Sequence, residues 1–329
     1  MNTFLRYVAL KALFYIISGF LVITFNFVII RLIPRNPVEI IVKLLQAEGI
    51  NTGGQQFVIE YEREFGLTGN ILTQYVSYLT QLLHGNLGIS ISHFPLPVSQ
   101  LVENAIPWSI GLLGISTLIS FAVGTFLGAL IGWRSGGFMS SGLYGLMVLL
   151  SRMPYYILGL MLAYVFAFLI PIFPSAGAYN PLVSSWPQLI LSIIRHATLP
   201  ALSLVISQIG WWAISMRALV TTIQGEDFIV MAKAKGITES RLFRNYVVRP
   251  ALPPQFFGLM IAMGNIVSGS LLVEVIFAYP GVGYLLFSSI EALDYTLIQG
   301  IFLTIVFSVL IALFLVEVFY PLLDPRARV

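Results

Sequence analysis

The sequence predicts an all-α, polytopic membrane protein with about six transmembrane helices. The 329 residues are 58% hydrophobic and only 9% charged, whereas soluble domains carry about 25% charged residues. The apolar residues form runs long enough to cross a bilayer, which takes about 20 residues each. The basic residues are concentrated in a few segments between these runs, as expected of loops on the cytoplasmic face.

The predicted spans divide the chain into three parts. Residues 1–33 contain the first span, at about 8–33, which is too long for a signal-peptide core and is expected to be retained. Residues 34–104 are polar, with short amphipathic runs between turns, and predict an extracytoplasmic helical segment. Residues 105–329 form the predicted core. Its five spans are expected at about 105–132, 139–170, 198–220, 253–275 and 297–321.

The second span carries Gly124, Gly128 and Gly132 at a spacing of four. These residues share one helix face, where two backbones can approach closely. Ordinary helix packing is expected there rather than binding. No repeat and no inverted repeat is visible elsewhere, which disfavours a secondary transporter.

The distribution of basic residues predicts a topology with both termini in the cytoplasm. In that orientation eleven Lys and Arg residues lie on the inside and four on the outside. The opposite orientation reverses this bias, which is contrary to the positive-inside rule. The sequence therefore predicts a multi-pass protein of the cell membrane with an inward-facing N-terminus and C-terminus.

The loop at 221–252 has the features of a docking element. It is basic and amphipathic, so it cannot lie in hydrocarbon, and its small residues suit close contact with another protein. A helical element is expected from Asp227 to Arg244, with Glu226 able to cap it. Gly236 would allow a turn between two short helices. The basic residues in the loop are Lys233, Lys235, Arg241, Arg244 and Arg249. They can also serve simply as anchors to anionic lipid headgroups.

Motifs for catalysis and for nucleotide binding are absent from the sequence. The dipeptide Gly-Lys never occurs, so the chain has no phosphate-binding loop of the GxxxxGK[ST] type. His84, His93 and His196 are far apart, and no metal site is expected. No catalytic residue is predicted, which disfavours an intramembrane enzyme. The small, clustered net charge of +3 gives no indication of nucleic-acid binding.

A substrate path is indicated only weakly, first by Arg152 and the nearby Tyr155 in the third span. An intramembrane arginine is a functional candidate by default. The side chain of Arg152 can instead extend to the membrane surface or pair with Glu317, and neither arrangement involves a substrate.

Three further side chains are candidates for the same path. Trp211 and Trp212 offer aromatic surfaces within the fourth span, although packing accounts for them equally well. Glu274 and the turn Phe277–Gly283 are expected to shape the outer mouth, mainly through a structural role.

Ordered motifs extend over nearly the whole chain. The loop contains Phe228-x-x-x-Ala232-x-Ala234-Lys235-Gly236. The other motifs are Arg31-Leu-Ile-Pro34-Arg-Asn-Pro37, Phe65-Gly66-Leu67, Gln74-Tyr75, Gly85-Asn86-Leu87-Gly88-x-Ser90, Ser151-x-x-Pro154, Phe173-Pro174-x-x-Gly177, Leu199-Pro200, Glu274-x-x-Phe277-x-x-Pro280-Gly281-x-Gly283 and Asp324-Pro325-Arg326. Together they resemble the permeases of ABC importers, in the dipeptide/oligopeptide/nickel branch.

The resemblance departs from the family pattern at three places. Val230 and Met231 precede Ala232 where the EAA motif has its glutamate. Arg35-Asn36 stands where Gly-Asp is usual, and Pro253 replaces an aliphatic residue.

The resemblance implies the type I ABC importer permease fold, with the loop as the coupling helix that contacts an ATPase subunit. The implied partners are a second homologous permease, two ABC ATPases that hold ATP and Mg²⁺, an extracytoplasmic binding protein and membrane lipid. The implied cargo is oligopeptides or dipeptides. Oligosaccharides are the first alternative, and an autonomous secondary transporter is the alternative from another class. The implied coupling residues are Asp227, Phe228, Ala232, Lys233, Ala234, Lys235, Gly236, Arg241 and Arg244.

Overall fold

The structure of the protein is a computed structural model that covers most of the predicted core. The residues it describes are 3–32, 42, 69–134, 136–264, 266 and 270–323. These residues form helices joined by turns, with one isolated antiparallel bridge. The predicted all-α class is confirmed. The motifs around Pro34, Gly66 and Pro325 lie outside the described residues.

The helices are numbered here in chain order. They are α1 (Thr3–Arg31), α2 (Ile71–Leu83), α3 (Val98–Trp133), α4 (Phe138–Arg152), α5 (Tyr155–Ala163), α6 (Trp186–Gln224), α7 (Asp227–Ala234), α8 (Glu239–Arg241), α9 (Arg249–Gly264), α10 (Leu271–Ile276), α11 (Val282–Glu291) and α12 (Tyr295–Leu323). Two π-helical stretches, Tyr164–Leu169 and Leu242–Val248, continue α5 and α8.

Four of the described helices, α1, α3, α6 and α12, are long and apolar enough to cross a membrane. The pair formed by α4 and α5 counts as a fifth span if it is taken as one, but it bends by 93°. The bend occurs because Pro154 has no N–H group and holds Met153 in an extended conformation. The third predicted span is therefore not continuous.

The other span boundaries also differ from the sequence prediction. Helix α3 begins at Val98 rather than near 105, and α6 begins at Trp186 rather than near 198. Polar residues in their first turns lower the local hydropathy without ending the helix. The predicted span at 253–275 is interrupted, because α9 ends at Gly264 and α10 begins at Leu271. The count of six spans stays a prediction.

The centre of the bundle is the parallel pair of α3 and α6, which pack along the predicted glycine face. A Cβ atom added at Gly124 would lie 2.7 Å from the carbonyl oxygen of Ile209, and one at Gly128 would collide with the backbone of Ala213. Gly132 makes a similarly close approach one turn further along. The predicted packing role of the three glycines is confirmed.

Helices α1 and α12 form an antiparallel pair at the edge of the bundle. Lys11 Nζ lies 2.9 Å from a carboxylate oxygen of Glu317. Near the other end of the pair, Asn26 Nδ2 donates to the carbonyl oxygen of Gln299 at 3.1 Å. The suggested pairing of Arg152 with Glu317 is wrong, because Lys11 occupies that position.

This ion pair is expected to hold α1 in place. The variant Lys11→Met leaves Glu317 as a lone charge beside apolar helices and is expected to destabilise the protein. In the double variant with Glu317→Gln, the loss is expected to be smaller than the sum of the single losses by about 1 kcal/mol. Thermal melting of the solubilised protein measures this difference. Strictly additive losses would show that the pair contributes nothing.

The helix directions define two ends of the bundle. The start of α3 contacts the start of α12, and the end of α3 contacts the end of α6. The end that carries α7 and α8 also contains the first residues of α1 and the last turns of α12, and is called the α7 end below. The opposite end carries α2, α10 and α11, and is called the α2 end.

Candidate functional site

The predicted docking loop begins directly after α6 at the α7 end. The side-chain amide of Gln224 donates to the carbonyl oxygens of Gly132 and Trp133 at the end of α3, at 3.4 and 3.3 Å. Glu226 is extended and precedes α7, and its carbonyl oxygen accepts from the N–H of Ile229. The prediction of a side-chain cap by Glu226 is wrong, because only its backbone makes this contact.

Helix α7 ends in a Schellman turn. Gly236 adopts a φ of +74°, in the left-handed region that favours glycine. Its N–H donates to the carbonyl oxygen of Lys233 at 2.9 Å, and the N–H of Ile237 donates to that of Ala232 at 3.3 Å. These two bonds satisfy carbonyl groups that the helix end would leave unpaired. The predicted turn at Gly236 between two short helices is confirmed.

One face of α7 is seated on the protein itself. Ile229 and Ala232 are buried in an apolar cluster with residues of α3, α6, α9 and the π-helical stretch after α8. The other buried members are Ala129, Met216, Val220, Leu242, Val247 and Ala251. The small side chain of Ala232 therefore allows close packing within the chain. The position of α7 is coupled to the two central helices by this contact.

The opposite face of α7 is exposed and, apart from Asp227 at its start, apolar. Val230 and Met231 are 63% and 60% exposed, and Phe228 and Ala234 are exposed beside them. Sequence reasoning missed Val230 and Met231 as site residues. The helical period contained the signal, because residues that lie between the buried positions 229 and 232 must point away from the core.

Exposed basic side chains accompany this face in the loop. Lys233, Lys235, Arg241 and Arg244 are all exposed. None of the four forms an ion pair with another described residue. An apolar centre with a polar rim is the usual composition of a protein–protein interface. The exposed part of α7 therefore has the composition of an interface, and its basic groups are not engaged by the described residues.

Glu274 occupies a buried network at the α2 end. Its side chain is fully buried, and its carboxyl oxygens accept four hydrogen bonds. The donors are Ser109 Oγ at 2.8 Å and the N–H groups of Gly283, Tyr284 and Ser270 at 2.7, 3.2 and 3.4 Å. Two of these N–H groups belong to the first turn of α11, where a carboxyl group is stabilising. Glu274 therefore has a structural role, which sequence reasoning favoured.

A second buried carboxyl group, Asp294, begins α12 and was not predicted. Its Oδ1 accepts from the N–H of Leu297 at 2.9 Å, which caps the helix. Its Oδ2 accepts from Ser90 Oγ at 2.5 Å and from the N–H of Ser92 at 2.9 Å. The Asp294 side chain thereby fixes the end of the segment 34–104 to the core.

The other candidates for the substrate path differ in how exposed their side chains are. Trp212 is buried edge-on against Phe121, so it is a packing residue. Trp211 is exposed, and so is Arg152 at the end of α4. Tyr155 is half-buried in the core at the start of α5. Of these candidates, the structure brings the rings of Trp211 and Trp212 into edge-on contact, at a centroid distance of 4.6 Å.

The described residues contain no group of three or more His, Cys, Asp or Glu side chains arranged to hold a metal ion.

Comparison with known proteins gives a consistent result. Residues 124–329 match the protein family described as binding-protein-dependent transport system inner membrane component. The chain is 30% identical to the dipeptide transport system permease protein DppB of Bacillus subtilis, over 93% of this chain and 92% of that protein. It is 28% identical to the probable peptide ABC transporter permease protein y4tP of Sinorhizobium fredii, over 92% of this chain and 93% of that protein. A putative peptide permease protein of Brucella suis is 29% identical over 92% of both chains.

Proposed function

Because the chain belongs to the family of binding-protein-dependent transport system inner membrane components, we propose that it is the membrane-spanning subunit of an ABC importer that takes up dipeptides or oligopeptides. The peptide assignment rests on the relatives, whose names refer to peptide or dipeptide transport. The residues of this chain support the proposal by providing a surface for coupling to an ATPase subunit. The observation that carries the proposal is the exposed apolar face of α7, held on a buried seat against α3 and α6.

In this proposal α7 is the coupling helix. Val230, Met231 and Phe228 enter a groove on an ATPase subunit, and the basic rim meets acidic groups around that groove. ATP and Mg²⁺ are held by the two ATPase partners, and this chain contributes no hydrolytic residue. Closure of the ATPases displaces α7, and the buried contacts of Ile229 and Ala232 pass the displacement to the spans.

The membrane orientation follows from the same assignment. An ATPase partner requires α7 to face the cytoplasm, and the first residues of α1 and the last turns of α12 lie at that end. Both termini are then cytoplasmic, in agreement with the positive-inside rule. The α2 end faces outward, where a binding protein delivers the cargo. A second homologous permease completes the translocation path, to which Trp211 and Arg152 are the accessible candidates.

Reconstitution of the complete transporter tests this function. The permease pair, the ATPases and the binding protein are placed in proteoliposomes, and ATP hydrolysis is measured with a panel of peptides and oligosaccharides. Stimulation of hydrolysis by peptides, with uptake of the same peptides, is the expected result. Stimulation by oligosaccharides alone would change the assigned cargo from peptides to oligosaccharides and leave the assignment as an ABC importer subunit in place. Uptake by this chain without any ATPase would contradict the proposal and favour an autonomous transporter.

A further inference from the structure

Helix α2 is fixed to the outer end of the membrane-spanning helix α1 through one of its faces. The hydroxyl groups of Tyr75 and Thr24 lie 2.6 Å apart. The buried ring of Phe27 contacts the rings of Tyr75 and Tyr78 at centroid distances of 5.1 and 5.4 Å. These contacts hold α2 beside α1, next to the first turns of α12. The depth of α2 relative to the bundle is therefore set by contacts to α1.

The contacts to α1 place α2 at the boundary of the membrane. Thr24 and Phe27 belong to the last turns of α1, which ends at Arg31. About 10 Å of helix axis separates Thr24 from Arg31, at 1.5 Å per residue. Interfacial helices lie with their apolar face buried about 5–10 Å into the boundary between headgroups and acyl chains. Helix α2 is thus held at the depth that such helices occupy.

A second face of α2 is aliphatic, and three of its four side chains are exposed. Leu72, Val76 and Leu83 are 72%, 56% and 87% exposed. With Leu79 they recur at intervals of four, three and four residues, so they form one stripe along the helix. This stripe lies beside the face that carries Tyr75, and the two faces together form the apolar side of the helix.

The third face of α2 is polar but uncharged. It carries Thr73, Ser77 and Thr80 on the side opposite to the tyrosines. The helix contains no Asp, Glu, Lys or Arg. Its first turn is closed by Asn70, whose Oδ1 accepts from the N–H and the hydroxyl group of Thr73, each at 2.8 Å. The sequence of α2 therefore combines an aliphatic stripe, aromatic side chains that suit a membrane interface, and a face for water.

We propose that α2 is an interfacial helix that lies in the outer leaflet, with Leu72, Val76, Leu79 and Leu83 among the acyl chains. The partner of this surface is membrane lipid, because the stripe has no group that a soluble protein could bind by hydrogen bonds and is held at acyl-chain depth. Helix α2 thereby lies at the membrane surface before the chain enters α3. The proposal requires only that α1 spans the membrane and does not depend on the transported cargo.

Site-specific fluorescence quenching tests the proposal. The natural chain has no cysteine, so single cysteines introduced as Val76→Cys, Leu83→Cys and Ser77→Cys carry an environment-sensitive probe without background. Each labelled permease is assembled with its transporter partners in lipid nanodiscs. Quenching is measured with phospholipids that carry a nitroxide near the headgroup end of the acyl chain, and with aqueous iodide. Ser77, on the polar face of the same helix and about 100° around the axis from Val76, is the matched control.

The probes at 76 and 83 are expected to be quenched at least about twofold more by the lipid nitroxide than the probe at 77. Iodide is expected to show the opposite order. Equal quenching of all three probes by iodide would overturn the proposal. Protection of positions 76 and 83 from both quenchers would also overturn it, because a protein partner would then cover the stripe. The measurement needs no ATP and no cargo, so its failure leaves the proposed transport function unaffected.

Discussion

Replacing Glu274 by leucine is expected to lower the free energy of unfolding by about 4 kcal/mol or more, since each buried donor left without an acceptor costs about 1–3 kcal/mol. The variant removes the acceptor of Ser109 Oγ and of the N–H groups of Gly283 and Tyr284. It also removes the carboxyl group from the N-terminus of α11. Loss of monodisperse protein in detergent and a lower melting temperature measure the effect.

Two further variants sharpen this test. Glu274→Gln is expected to be intermediate, because its amide retains one acceptor oxygen but turns an NH₂ group toward existing donors. Glu291→Leu is the matched control, because Glu291 is exposed at the end of α11, and its cost is expected to stay within about 0.5 kcal/mol. If the leucine variants at 274 and 291 melt at the same temperature, Glu274 does not hold α11 in place.

Replacing Met231 by glutamate is expected to abolish transport while the protein still inserts and folds. The side chain of Met231 is mostly exposed, so its replacement removes little packing within the chain. In the proposed complex the same change places a carboxylate at the centre of an apolar interface. Loss of a central interface residue costs about 2 kcal/mol or more, and affinity for the ATPase is expected to fall more than about tenfold. Co-purification of the ATPase and peptide uptake are the measurements.

The control for this variant is Met139→Glu. Met139 is also an exposed methionine at the α7 end, in the first turn of α4, but lies outside the α7 face. The Met139→Glu variant is expected to leave ATPase binding unchanged. By contrast, Ala232→Glu is expected to fail earlier, at folding, because Ala232 is buried in the cluster beneath α7. Normal uptake by the Met231→Glu variant would show that the exposed face of α7 is not the coupling surface.

The spans that were predicted best from the sequence are those that hydrophobic composition alone is sufficient to locate. Helices α1 and α12 are long, apolar and largely exposed, so local hydropathy was sufficient to find them. Helix α6 was predicted too short, because Arg195 and His196 interrupt its apolar run although the helix continues through them. The bend at Pro154 had its signal in the sequence, but hydropathy on both sides of the proline is uniformly high and concealed it.

The site was predictable where the determinants are local. A glycine among basic residues is a short-range pattern, and it located the turn at Gly236 correctly. The contacts of Glu274 with Ser109 and of Asp294 with Ser90 could not be predicted, because these partners are distant in sequence. Ser109 precedes Glu274 by 165 positions, and Ser90 precedes Asp294 by 204. Such pairs depend on how the spans assemble, which no local pattern encodes.

The glycine contacts between α3 and α6 have a mechanical consequence. Where no side chain separates the two backbones, the helices cannot slide past each other without collision, so the pair behaves as one rigid arm. Helix α6 alone is about 58 Å long, at 1.5 Å per residue. In the proposed coupling mechanism, this arm carries a displacement of α7 toward the other end of the bundle. The flexing that a transport cycle needs is left to the joints beside the arm, at Met153–Pro154 and at the π-helical stretch Leu242–Val248.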